Sequence, residues 1–120
     1  MSTHEEMQDN EVRLRGTVSG DAELRELPSG DQLCVVRVVV PRTTVRVRPD
    51  GRRGPSVDVI DCAAWERRPQ RSMRTWRDGD AVEVVGALRR RFFKAGGATA
   101  SRVEVEVSSA RRLRRSVVLE

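Results

Sequence analysis

Phe92 and Phe93 stand side by side in the stretch GALRRRFFKAGGATASRVEVEV, residues 86 to 107, and the chain has no other phenylalanine. Arg89, Arg90 and Arg91 precede them, Lys94 follows, and Gly96-Gly97 reads as a hairpin tip. A hairpin tip offers a ring little to pack against. A flat ring can instead stack on a nucleobase, and a guanidinium can neutralise a phosphate. Together those groups suit the features that all nucleotides share. The remaining aromatics are Trp65 and Trp76, since the chain has no tyrosine.

Other chemistries find no support in the residue types. His4, the only histidine, lies in the polar opening MSTHEEMQD. Asp58 and Asp61 are close in sequence but opposite in strand parity, so they form no carboxylate pair. No glycine-rich phosphate loop and no metal-ligand spacing occurs, so neither an enzyme nor a cofactor or metal is expected. Cys34 and Cys62 each sit in an apolar run and read as buried, reduced thiols.

The 120 residues make one domain with a small core. The net charge is +5, and of the 23 basic residues only Lys94 is a lysine. Arginine-rich codon usage accounts for the scarcity of lysine better than for the positive sign. The sign itself favours an anionic partner, nucleic acid above all. No apolar stretch is long enough to span a membrane or to serve as a secretion signal, so a cytoplasmic, nucleoid-associated protein is expected.

These residues must be positioned by strands. EVRLRGTV alternates and predicts a first strand, followed by a turn-rich connection, SGDAELRELPSGDQ. LCVVRVVV predicts the second strand and VDVIDCAAW the third, with the basic loop RTTVRVRPDGRRGPS between them. ERRPQRSMRTWRDGD predicts a short helix, with Met73 and Trp76 facing the sheet and Gly79 as its cap. AVEVVGALRRRFF and ASRVEVEVSS predict the fourth and fifth strands. The order implies an all-β fold: a five-stranded antiparallel OB-fold barrel with one short helix between strands 3 and 4. A small sandwich is the competing architecture. Residues 1–9 are expected to be disordered, 10–110 to form the barrel domain, and 111–120 to be a short basic tail.

Four stretches taken together resemble the bacterial single-stranded DNA-binding protein family. NEVRLRGTVSGDAELRELPSG is similar to the family's opening strand and its D-P-E-L-R-x-x-P-S-G connection, with Ala22 in place of proline. DCAAW resembles the third-strand signature, WRDGDAVEVVGALRRR the K-G-D turn and fourth strand, and VEVEV the fifth strand. The resemblance covers residues 10 to 108 and implies a non-catalytic protein that binds single-stranded DNA independently of sequence. It implies a role in replication, recombination or repair, and assembly as a homo-oligomer, tetramer or dimer. A protein-interaction subunit and an RNA-binding module are the alternatives.

Alternation along strand 4 turns Val82, Val84 and Leu88 inward and gives Arg89, Arg91 and Phe93 the opposite face. The resemblance places a stacking aromatic at Phe93 and basic contacts at Arg89 and Arg91. It places another stacking ring at Trp65, whose parity opposes Ile60, Cys62 and Ala64. Phe93 can also be read as a barrel cap or oligomer contact, and Trp65 as a core residue under the helix. Arg13, Arg15 and Arg37 alternate with apolar residues and either line the groove or stand in solvent. With Lys94 they complete the expected DNA-binding set. Family aromatics are replaced at Thr44 and Val59, and the basic tail is not expected to recruit partners as the family's acidic tip does.

Overall fold

Valine-rich alternation builds almost the whole molecule from strands. The structure, a computed structural model, describes residues 9–117. Its elements are β1 (Val12–Glu26), β2 (Gln32–Pro41), β3 (Val57–Ala64), α1 (Arg67–Met73), β4 (Ala81–Ala95) and β5 (Ala98–Arg114). The strands close into one barrel in the order β1-β2-β3-β5-β4. Four of the pairings are antiparallel. The closing one, β3 with β5, is parallel and pairs Cys62 with Val105 and Ala63 with Glu106. This is the expected OB-fold barrel, with its helix between β3 and β4.

The inward parity of each strand supplies the core. Val18, Cys34, Val36, Val38, Cys62, Val82, Val84, Val105 and Val107 fill the barrel, and Met73 and Trp76 join them from the β3–β4 connection. Gln70 pins α1 in place, because its buried Nε2 donates to the carbonyls of Gln32 and Ala64, both at 2.9 Å. Both cysteines are free and buried. Burial, with Asp61 and Glu104 nearby, pushes the Cys62 thiol up to about 12. No helix among the described residues is long and apolar enough to cross a membrane.

Several boundaries differ from the sequence reading. The stretch after Val18 is strand rather than loop: β1 breaks register between Ser19 and Glu23, then resumes pairing with β2 from Glu23 to Glu26. Such a bulge bends a strand without ending it, so turn-forming residues there do not stop the ladder. The helix is shorter than predicted. It ends at Met73, and Trp76 and Gly79 belong to the turn beyond it, although Trp76 is still core. β5 runs on to Arg114, so residues 111–114 of the expected tail are strand. The predicted disorder of residues 1–9 falls mainly on residues 1–8, which lie outside the described residues.

β4 and β5 also run past the barrel as a two-stranded arm, paired from Arg89↔Glu104 out to Ala95↔Ala98. Gly96 and Gly97 both have positive φ, the conformation that a two-residue hairpin turn demands. No third strand among the described residues covers the arm. Leu88, assigned inward by alternation, is therefore about half exposed, as is Val103 on the same side of the arm. Their parity is right, but the interior ends before they are reached.

Candidate nucleic-acid interface

The outward parity of β4 carries Arg89, Arg91 and Phe93, and their neighbours on β5 are Glu104, Arg102 and Ala100. Across the barrel's closing seam, β3 presents Asp61 and then Trp65 just past its end, and β2 presents Arg37 opposite Asp61. Five of the expected residues, Arg37, Trp65, Arg89, Arg91 and Phe93, thus share one outer face. The packing among them is direct. The guanidinium carbon of Arg91 stands 5.1 Å from the centre of the Trp65 ring, and that of Arg102 stands 5.8 Å from the centre of Phe93. Both distances are within cation–π range.

Carboxylates are interleaved with these cations. Glu106 accepts from Arg89 Nε at 2.8 Å and from Arg91 Nη2 at 3.3 Å. Glu104 lies between Arg91 Nε at 3.6 Å and Arg102 Nε at 3.7 Å, with only 5% of its side chain exposed. Arg37 Nε donates to Asp61 Oδ1 at 3.3 Å. Trp65, Arg89 and Glu106 help line a cleft of about 330 Å³ that reaches Asn10 and Glu11. Arg37, Asp61 and Arg102 line a second, of about 300 Å³, with Glu23 and Arg25.

The other expected residues lie elsewhere. Arg13 and Arg15 gather with Arg111 around Glu83 on the β1–β4–β5 wall, each within 3.3 Å of its carboxylate. Hydrogen bonds from Arg15 and Arg111 hold the Glu83 carboxyl down at about 2 against the opposing effect of burial. Lys94 is exposed near the arm's tip. Phe92 faces the other side of the arm and is 70% exposed, against 44% for Phe93. The β2–β3 loop carries a small turn, with Gly51 N–H donating to the Arg48 carbonyl at 2.9 Å. Arg46, Arg48 and Arg53 in that loop make no ion pair among the described residues. Arg46 and Arg48 line a loop cleft with Thr44, and Val59 is an exposed member of the outer face.

The sequence reading missed the anionic half of this face and Arg102. Its signal was nevertheless present: in V-E-V-E-V the valines go inward, so Glu104 and Glu106 must go outward, beside Arg89 and Arg91. Asn10 was also missed. Its side chain pairs with β4 as a backbone would, donating to the Leu88 carbonyl at 2.9 Å and accepting from Leu88 N–H at 2.8 Å.

The sequence profile described as "Single-strand binding protein family" matches residues 9–113, nearly the whole barrel and arm. The chain belongs to this family. A curated relative, the single-stranded DNA-binding protein of Deinococcus radiodurans, is 33% identical over 79 residues. That match takes in 66% of this chain but only 25% of the relative, so the chain spans about a quarter of that protein. Two solved structures share the family's fold. One is a Plasmodium falciparum SSB in complex with ssDNA, with a TM-score of 0.71 and 18% identity over 88% of this chain and 96% of that one. The other is a small single-stranded DNA-binding protein from Streptomyces coelicolor, with a TM-score of 0.59 and 17% identity over 88% and 95%.

Proposed function

We propose that the chain binds single-stranded DNA with little regard to sequence, as a homo-oligomer serving replication, recombination or repair. One observation carries the reading beyond family membership. Two partly exposed rings, Trp65 and Phe93, share a single outer face with four arginines, Arg37, Arg89, Arg91 and Arg102. Rings that stack on bases, beside cations that meet phosphates, are what sequence-tolerant binding of a single strand requires. Arg46, Arg48 and Arg53 extend the cationic surface along the β2–β3 loop, whereas Lys94 has the parity of Arg90 and Phe92 and faces the reverse of the arm. Arg13 and Arg15 are committed to Glu83 and contribute through the general positive field instead of direct contact.

Oligomer formation draws support from the other side of the arm. Leu88, Phe92 and Val103 share it and are all exposed, giving a second subunit an apolar strip to cover. The same strip, and the carboxylates beside the face's arginines, favour a protein-interaction subunit as the second reading. Titration of the chain against labelled oligo-dT, oligo-U and a duplex at two salt concentrations separates these. The proposal expects tighter binding to the DNA strand than to duplex, weakening with salt by about 0.7 log units per log unit for each phosphate contact. Equal affinity for duplex, or no salt dependence, refutes it. Preference for oligo-U moves the substrate to RNA.

A further inference from the structure

One buried carboxylate, Glu104, pairs with both guanidiniums that lie over the two partly exposed rings of the outer face. Arg91 bridges from Glu104 to Trp65, and Arg102 bridges from Glu104 to Phe93. The chain of contacts Trp65–Arg91–Glu104–Arg102–Phe93 therefore links both candidate stacking sites through a single residue. We infer that Glu104 is a positioning residue that holds Arg91 over Trp65 and Arg102 over Phe93 in the free protein, so that each guanidinium must leave its ring when a base of a single strand stacks there.

Three observations support this. First, the cluster is incompletely satisfied. Trp65 Nε1, Arg91 Nε and Glu104 Oε2 are buried and have no hydrogen-bond partner among the described residues. A buried charge held only by long ion pairs is poorly compensated, so an arrangement that lets its partners move has little to lose. Second, the covering groups have somewhere to go. Arg91 and Arg102 remain partly exposed and sit on flexible stems, while Glu104 is fixed by the β4–β5 ladder. A strand that stacks a base on each ring brings its phosphates within reach of the two displaced guanidiniums. Third, the geometry is particular to Glu104. Among the described residues Glu106 pairs with Arg89 and Arg91 but forms no ion pair with Arg102, and Glu23 forms its ion pair with Arg25 alone. The inference rests on the single-strand reading for its second half only, because the covered state is a property of the free protein.

The test exploits the tryptophans. Trp76 is 2% exposed and shielded from quencher, so acrylamide quenching of fluorescence reports on Trp65. Glu104→Gln keeps the shape of the side chain but loses the charge that Arg91 and Arg102 share, leaving Arg91 with Glu106 alone. It is expected to raise quenching in the free protein. Glu23→Gln, an equal change of charge at the edge of the same face, is expected to leave quenching at the wild-type value. In oligo-dT titrations Glu104→Gln should tighten binding by about 2- to 5-fold for each uncovered ring, the cost of an exposed cation–π contact. Its salt dependence should steepen by up to about 0.7 as Arg102 becomes free for phosphate, since Arg91 keeps its pair with Glu106. Wild-type quenching in Glu104→Gln overturns the proposal, as does the same gain in affinity from Glu23→Gln. If Glu104→Gln does not fold by circular dichroism, Arg91→Ala reads the same contact: raised quenching supports the covered state, and unchanged quenching overturns it. A wild-type protein that does not bind oligo-dT sinks the functional reading while the quenching result still decides the role of Glu104.

Discussion

Arg15 and Glu83 face each other across the β1–β4 ladder, with Arg15 Nε 2.7 Å from Glu83 Oε2. Arg111 reaches the same carboxylate from β5 at 3.1 Å, so three strands meet on one buried anion. Its pKa is lowered from 4.5 to about 2, first by the hydrogen bond from Arg15 and then by that from Arg111. A carboxylate lowered in the folded state binds its proton more weakly there than in the unfolded chain. Its contribution to stability is therefore complete above its unfolded pKa and is lost as pH falls through the folded one. Asp80 acts in the same direction. Burial alone would raise its pKa, but the Arg77 and Ser116 N–H groups and Arg112 together bring it below the ordinary value.

The first prediction is acid sensitivity traceable to this cluster. Urea unfolding midpoints of the wild type should fall between about pH 4.5 and pH 2. In Glu83→Gln the fall over that window should be shallower, because the residue no longer takes up a proton on unfolding. Parallel pH profiles for the two proteins would sink this account of Glu83.

Gly86 carries the second prediction. β4 and β5 cross there at the register break between Val85 and Gly86, and a methyl group on Gly86 would collide with the carbonyl of Glu106. Gly16 stands in the same relation to the carbonyl of Val39. Alanine for glycine in an unobstructed strand gains about 0.5–1 kcal/mol. A methyl group forced against backbone cannot be relieved by rotating a side chain, and overpacking costs about 1–3 kcal/mol. Gly86→Ala and Gly16→Ala should each destabilise the protein by that amount in chemical denaturation. A gain in stability from either would show that the strands do not approach closely at that point.

Much of the barrel was legible because valine alternation states strand parity directly. Val82, Val84, Val105 and Val107 are buried as their spacing requires, and Arg89, Arg91 and Phe93 share a face for the same reason. Parity does not say where the barrel's interior ends, so alternation turns Leu88 toward a core that stops short of it. Bulges are hidden for a related reason. The break at Ser19–Glu23 lies in turn-prone sequence, and only the pairing with β2 shows that the strand continues. At the site, the rings and the arginines announced themselves by scarcity and clustering. Glu104 did not, because a glutamate in an alternating strand reads as a solvated residue. Its burial beside Arg91 and Arg102 follows from how β4 and β5 pair, which the alternation of β5 alone does not show. The separation of Arg13 and Arg15 from the main face has the same origin: their common partner, Glu83, is 68 residues from Arg15 in sequence.

The third prediction distinguishes the two faces of the arm. Phe93 lies on the face shared with Arg89 and Arg91, and Phe92 lies on the reverse beside Arg90. Stacking one base on an aromatic is worth about 1–3 kcal/mol, so Phe93→Ala should weaken oligo-dT binding by that amount. Its thermal midpoint should change little, since Phe93 is already 44% exposed and no third strand among the described residues covers the arm. A buried phenylalanine would behave in the opposite way, losing about 3–5 kcal/mol of stability on truncation. Trp65→Ala should weaken binding by a similar amount but also cost some stability, because its indole nitrogen is buried and its ring packs against Arg91. Phe92→Ala serves as the internal comparison. It should affect binding less than Phe93→Ala, and if the apolar strip on the reverse face joins subunits it should lower the oligomer's mass in light scattering. If Phe92→Ala instead abolishes binding while Phe93→Ala preserves it, the strand lies along the reverse of the arm, and the roles given to Arg89, Arg91 and Trp65 fall with it.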